Sequence, residues 1–365
     1  MAAVAATAAL VPLSAAAATA VVTSTALQGL TLSPAFASDH TVFAEGVETD
    51  PSRCPSPNPL GTQCPVLFRS GDGGHTWTEL GSSYPGGQVG LPPAFPTDPT
   101  IYAFGSSSAS RSDDGGQTFT TIASGPATML PGGGAGHAHV AIAGNGGVDV
   151  YDEATGSTQR VARYPLGFTV QDTASQGPAA IVAVGPSTVV VSGTLGVALV
   201  NAQAALVTCT FGGGCTVTDR LQDATLSLAA PRVPDGVAAA FHTGVSTTHD
   251  AGQTWALVQP GVAPDVFGTV AFSPSDATDH TVLLSNDDPR AQSSSKLYLS
   301  VDDAATLSAP LAAAGLPAVA GVGASAIQPG GVLMVGLSFA ADATGAPRPT
   351  GVFCSADSGA TFAMC

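Results

Sequence analysis

Residues able to do chemistry are sparse in this chain, and their spacing is uninviting. His137 and His139 lie two apart, so on a strand they share a face and offer two metal contacts, yet no third ligand stands near them and no metal is expected. Asp113-Asp114 and Asn286-Asp287-Asp288 bring acidic side chains together without the Asp-x-Asp-x-Asp-Gly ladder of a calcium loop, which reads as solvated turns. Gly132–Gly134 and Gly212–Gly214 lack the lysine and helix of a phosphate cradle. No nucleophile elbow supports a Ser-His-Asp relay. Arg53, Arg69, Arg111, Arg160 and Arg163 make an anion site only if the fold gathers them. No cofactor is expected.

The elements that would position such groups are strands. Charged residues make up 10% of the 365, while 44 glycines and 28 prolines suit many short strands joined by tight turns. Apolar positions hardly recur at helical spacing beyond the first thirty residues, so the class is all-β. With a formal net charge of -16, the chain offers no basic surface for nucleic acid or anionic lipid.

One short pattern returns: Ser/Thr-x-Asp-x-Gly-x-Thr-aromatic. It occurs as Ser70, Asp72, Gly74, Thr76, Trp77; as Ser112, Asp114, Gly116, Thr118, Phe119; as Thr248, Asp250, Gly252, Thr254, Trp255; and as Ser355, Asp357, Gly359, Thr361, Phe362. A decayed copy reads Ser300, Asp302, Ala304, Thr306, Leu307. The aspartate and hydroxyl suit a tight turn whose backbone N–H groups need acceptors, glycine admits positive φ, and the aromatic packs inward. Trp77 and Trp255 are therefore read as core rather than as sugar platforms. A second pattern precedes the boxes: Ser33 to Ala44, Leu91 to Ala103 and Phe272 to Leu283 each read as strand, turn, strand. Two further units fit between the second and third copies, a hairpin around Asp152–Gly156 and another from Val207 to Val217. The total is seven four-stranded units.

The pattern resembles the Asp-box, or BNR repeat, of sialidases, sortilin-type receptors and photosystem assembly factors. That resemblance implies a seven-bladed β-propeller of four-stranded blades with Asp-box hairpins, spanning residues 28–365. It also raises sialidase chemistry, in which an arginine triad, an acidic Asp and a Tyr–Glu pair act. Here no arginine precedes Arg53, no Phe/Tyr-Arg-Ile-Pro motif exists, and of Glu45, Glu48, Glu79 and Glu153 only Glu153 has a tyrosine beside it, Tyr151, in an eroded rim hairpin. The expected function is a non-catalytic module, a monomer binding a protein or glycan; an atypical glycoside hydrolase is the alternative.

Residues 1–27 are Ala-rich and uncharged, as in an export signal or membrane anchor without the usual basic start, with Ala-x-Ala cleavage near Ala18 or Ala20. Six cysteines fall as close pairs, Cys54 with Cys64, Cys209 with Cys215 and Cys354 with Cys365. Hairpin disulfides are the simplest reading, and they imply an oxidising, extracytoplasmic location. The Cys54–Cys64 insertion is the best candidate contact loop. Closure of the ring is expected by packing alone, or by a strand from around Val21 to Thr25.

Overall fold

The computed structural model describes residues 25–48, 64–81, 83–131, 137–170, 180–196, 203–221, 227–231, 236–241, 245–258, 267–286, 295–307, 309–342, 344, 348 and 350–365. Their strands gather into seven antiparallel sheets, each made of strands consecutive in the chain. Blade 1 is β1 (Thr25–Leu32), β2 (Val42–Glu48), β3 (Cys64–Ser70) and β4 (Thr78–Glu79), with a single-turn helix α1 (Phe36–Asp39) after β1. Blade 2 is β5 (Gln88–Gly90), β6 (Ile101–Phe104), β7 (Ser108–Ser112) and β8 (Thr120–Ser124). Blade 3 is β9 (Ala127–Leu130), β10 (His139–Gly144), β11 (Gly147–Asp152) and β12 (Ser157–Arg163).

Blade 4 has β13 (Phe168–Val170), β14 (Ile181–Gly185), β15 (Thr188–Leu195), β16 (Gln203–Thr210) and β17 (Gly214–Leu221). Its first two strands pair with successive stretches of β15, so together they fill one innermost position. Blade 5 is β18 (Ser227–Ala229), β19 (Ala238–Phe241), β20 (Val245–Thr248) and β21 (Ala256–Val258). Blade 6 has three strands, β22 (Phe267–Phe272), β23 (Val282–Asn286) and β24 (Leu297–Ser300), with a second single-turn helix α2 (Asp276–Asp279). Blade 7 is β25 (Val319–Ile327), β26 (Leu333–Ala341), β27 (Val352–Ser355) and β28 (Ala363–Met364).

The seven-bladed, all-β architecture is as expected; two details depart from it. The strand-turn-strand units of blades 1 and 6 hold a helical turn, because Ser33 and Asp39, and likewise Ser273 and Asp279, bridge the reversal by side-chain hydrogen bonds of 2.6 and 2.7 Å. Blade 6 lacks a fourth strand among the described residues. Leu311 bonds back to Leu297 of β24, but Ala313 and Ala314 turn away to the backbone of Gly359 and Ala360 in blade 7.

Because side chains alternate across a strand and the inner part of each blade is covered on both faces, the inner strands feed two cores, whereas outermost strands such as β4, β12 and β28 are largely exposed. Phe43 packs toward blade 2 while Val42 and Ala44 pack toward blade 7. Val189 and Val191 likewise face blade 3, and Val190 between them faces blade 5. There is no single centre; apolar clusters fill the seams between neighbouring blades.

Among the described residues no strand is exchanged between the first and last blades, which meet by packing and single hydrogen bonds; the expected strand from around Val21 lies mostly outside them. Leu27 of β1 buries against Ala324, Ala326 and Met334 of blade 7, the Thr350 hydroxyl donates to the Thr25 carbonyl at 2.8 Å, and His75 Nδ1 meets the Cys365 carbonyl. β1 starts at Thr25, inside the segment read as a leader. Cys209–Cys215 bridges the β16–β17 hairpin and Cys354–Cys365 ties β27 to the chain end. Cys64 is also disulfide-bonded; Cys54 and the rest of the expected contact loop lie outside the described residues, as do residues 1–24.

Candidate functional site

In an antiparallel blade the first and third turns fall at the same end, and here they touch: the amide of Gly73 donates to the His40 carbonyl at 2.9 Å and that of Asp303 to the His280 carbonyl at 3.0 Å. The recurring Ser/Thr-x-Asp turns occupy the third turn, between third and fourth strands. In blade 2 the Ser112 hydroxyl donates to Asp114 at 2.8 Å and accepts from the Gly116 amide at 2.8 Å, while Asp114 also accepts from the Thr118 amide at 2.9 Å and hydroxyl at 2.6 Å. The same bonds recur in blades 1, 5 and 7 around Asp72, Asp250 and Asp357.

Ser300, Asp302, Ala304 and Thr306 keep the whole set too, although Ala304 must then sit at φ 61° where the other copies use glycine. The Thr118 hydroxyl and amide bonds hold Asp114 down at about 2, and those of Thr361 do so for Asp357. For Asp250 slight burial pushes the other way, and the bonds from Thr254 and Thr248 overcome it, again to about 2. The closing residues Trp77, Phe119, Trp255, Leu307 and Phe362 each enter the seam with the preceding blade. The Ser/Thr hydroxyl and the aspartate of the motif are thus spent on the turn itself.

Blade 3 has no such turn, and its substitute brings together residues that the sequence left apart. Asp152 accepts only the amides of Ala154 and Thr155, at 2.8 and 3.3 Å. Glu153 accepts the Ala138 amide of its own blade at 2.6 Å and reaches across to blade 2, lying 3.2 Å from Arg111, which also pairs with Asp113 at 2.8 Å. Tyr102 and Tyr151 are buried beside this pair, and burial followed by the Glu153 carboxylate pushes the Tyr102 phenol up. Tyr151 and Glu153, read as a rim hairpin, therefore lie inside the blade 2–blade 3 seam. His139 Nε2 stands 3.8 Å from Asp152, and His137 is exposed; among the described residues no group of three His, Cys, Asp or Glu is arranged to hold a metal.

Among the described residues the arginines are not gathered, and Arg53 lies outside them. Arg69 packs over the rings of Phe43 and Phe95, Arg111 belongs to the seam, and Arg160 pairs with Asp149 at the other end of blade 3.

Around the axis, where a propeller concentrates its inner edges, the wall is nearly free of reactive groups among the described residues. The innermost strands read TALQGLTL, QVG, ATML, FTV, IVAVG, SLA, FGTVAF and VAGVGASAI, without one Asp, Glu, Lys or Arg. Hydroxyls substitute: Thr269, Ser285 and Ser325 bond to one another across blades 6 and 7.

Two carboxyls of β2, Glu45 and Glu48, stand one strand behind this wall, both 3% exposed, and sequence reasoning had singled out neither. Glu45 of β2 is 3% exposed; its Oε1 accepts from the Thr31 hydroxyl at 2.9 Å and from the Val89 amide of blade 2 at 3.2 Å. Oε2 has no hydrogen-bond partner among the described residues and fills the place a side chain at Gly29 would take, beside a bulge in β1. Burial pushes this carboxyl up to about 7, against the lowering effect of the Thr31 and Val89 bonds. A glutamate opposite a glycine one strand inward was the available signal.

No family model and no curated protein matches the chain. Among solved structures it is similar to YCF48 from Cyanidioschyzon merolae, at 16% identity over 90% of this chain and 95% of that one, with a TM-score of 0.51. It is similar to the β-propeller domain of the Trilobed protease from Pyrococcus furiosus, which has an open velcro topology, at 10% identity over 90% and 95% with a TM-score of 0.52. A puromycin-hydrolyzing peptidase of Mycobacterium tuberculosis matches at 11% identity and a TM-score of 0.53 over 94% of this chain, which spans about half, 53%, of that protein. At such identities the likeness is one of architecture: by fold, the chain is a β-propeller.

Proposed function

We propose that the chain is a non-catalytic, extracytoplasmic propeller that binds or scaffolds a protein or glycan partner as a monomer. The observation that carries this reading is the axial wall: eight innermost strand segments hold no charged residue. Glycoside hydrolysis by the usual routes needs two carboxyl groups about 5–9.5 Å apart across a sugar. Among the described residues the glutamates nearest the axis, Glu45 and Glu48 of β2, are both 3% exposed and stand one strand behind the wall, and Glu153 with Tyr151 is spent in a seam.

We further read the recurring turns as Asp-boxes with a purely structural role, since each side-chain acceptor is already occupied within its own turn. The disulfides favour an oxidising compartment, and the Ala-rich start serves as signal or anchor in this reading. Cleavage near Ala18 or Ala20 leaves β1 whole. No described helix is long and apolar enough to cross a membrane.

The test is a glycan array including sialosides, with released sugar quantified on the same samples. Binding without turnover, or no glycan binding together with a captured protein partner, is expected; hydrolysis above a heat-denatured control would overturn the reading.

A further inference from the structure

The recurring turns leave one end of the propeller with a charge that the fold creates and does not cancel. Asp72, Asp114, Asp250, Asp302 and Asp357 are planted there at one per blade, and hydrogen bonds from amides and hydroxyls satisfy their oxygens without neutralising them. Among the described residues the arginines at that end are Arg69, laid over two aromatic rings, and Arg111, already paired with Asp113 and Glu153. Arg160, Arg163, Arg220, Lys296 and Arg348 all fall toward the opposite end, on the far halves of their strands or in the connection after β26. Net charge alone does not produce such a partition.

A second observation at the same end points to a ligand. Asp303, in the turn of blade 6, is 7% exposed, and its Oδ2 lies 2.9 Å from His280 Nδ1 and 3.6 Å from His249 Nδ1 of blade 5. Its Oδ1 has no hydrogen-bond partner among the described residues. Both imidazoles are about half exposed, so the buried anion is covered by side chains that rotamer changes can move aside. Two seams further round, between blades 7 and 1, a cleft of about 400 Å³ opens on the same end, lined among others by Asp72, His40, His75 and Gln328.

We propose that this end docks a lysine- or arginine-rich segment of a partner protein, the turn carboxylates supplying the attraction and Asp303, beneath His249 and His280, holding one cationic group. The proposal rests on the reading of the chain as a binding module, and adds the face and the chemistry of the partner. Long-range attraction of this kind sets encounter and salt dependence; the buried carboxylate sets register.

The experiment titrates the full chain into a fluorescein-labelled decalysine peptide and follows anisotropy at 50 and 200 mM NaCl. The wild type should bind, weakening about tenfold or more between the two salts, because the Debye length shortens toward the spacing of the contacts. Gln117→Lys with Gln253→Lys adds two cations to exposed positions on these turns and should weaken binding at least about fivefold at low salt. Gln203→Lys, at the exposed start of β16 on the opposite end, should change it less than about twofold. Asp303→Asn should weaken binding with circular dichroism unchanged. Absence of binding at 50 mM NaCl, or equal weakening by Gln203→Lys and the Gln117/Gln253 pair, would overturn the proposal, the latter by reducing it to net charge. Either failure leaves the non-catalytic reading standing, since that reading falls only on glycan hydrolysis.

Discussion

Blades 2 and 3 close the same hairpin by opposite means. In blade 2, Ser112 and Asp114 hold the turn from within, and only Phe119 leaves it for the neighbouring seam. In blade 3, Asp152 makes a thinner turn, and Glu153 compensates by taking the Ala138 amide of its own blade and crossing to Arg111 of blade 2. A turn that satisfies its own backbone can be read from eight residues. One that borrows its partners from another blade depends on groups more than forty positions away in the chain, and it places a buried ion pair where the repeat would have placed none.

Burial without a cation gives the largest expected contrast with the Glu153–Arg111 pair. Glu45 has a folded pKa of about 7 against an ordinary 4.5, so the folded state holds a proton that the unfolded state has released. Its stabilising protonated form is fully present below about pH 4.5, and its contribution is lost as pH rises through about 7, by roughly 3 kcal/mol. Glu45→Gln should flatten that part of the pH profile and raise stability at pH 8, measured by urea denaturation; a parallel profile for variant and wild type would mean that Glu45 is charged and paired.

Glu153→Ala comes next. It strips Arg111 of one of two carboxylates and leaves the Ala138 amide bare, at a cost of about 3 kcal/mol, the low end for a broken buried pair because Asp113 remains. A loss below about 1 kcal/mol would show that blade 3 does not lean on blade 2.

Ser112→Ala removes the acceptor for the buried Gly116 amide and should cost about 1–3 kcal/mol, whereas Ser157→Ala in the exposed corresponding region of blade 3 should stay within about 0.5 kcal/mol. Equal effects would erase the distinction between a self-contained turn and a borrowed one.

The smallest change tests backbone fit. Ser358 is exposed at φ 56°, where blades 1 and 2 have Gly73 and Gly115, so Ser358→Gly should raise stability by about 0.5 kcal/mol once the more flexible unfolded chain is allowed for. A lower thermal midpoint would place a needed contact at that hydroxyl.

Most of the architecture was legible because its information is local. The turn motif recurs with its spacing intact, so copies around Asp72, Asp114, Asp250 and Asp357 mark four blades, and Asp302 marks a fifth even with Ala304 in a glycine position. The hairpins at Asp152–Gly156 and Val207–Val217 could be placed by counting and by the Cys209–Cys215 pair. The helical turns of blades 1 and 6 were missed because four residues are too few to show a helical period. Tyr151 and Glu153 do lie in an outer hairpin as read, but their packing partners Tyr102 and Arg111 could not be named because these belong to another blade.

By itself, then, the sequence determined that this chain is a ring of repeated β-hairpin units, since each unit carries its own turn chemistry and its own alternation of apolar residues. Only the tertiary structure decided where carboxylates end up. Whether an acid is paired like Glu153, pushed toward its protonated form behind the axial wall like Glu45, or held ionised at an exposed turn like Asp357 depends on what packs around it, and the free energy of a charge is set by that surrounding rather than by the residues next to it in the chain.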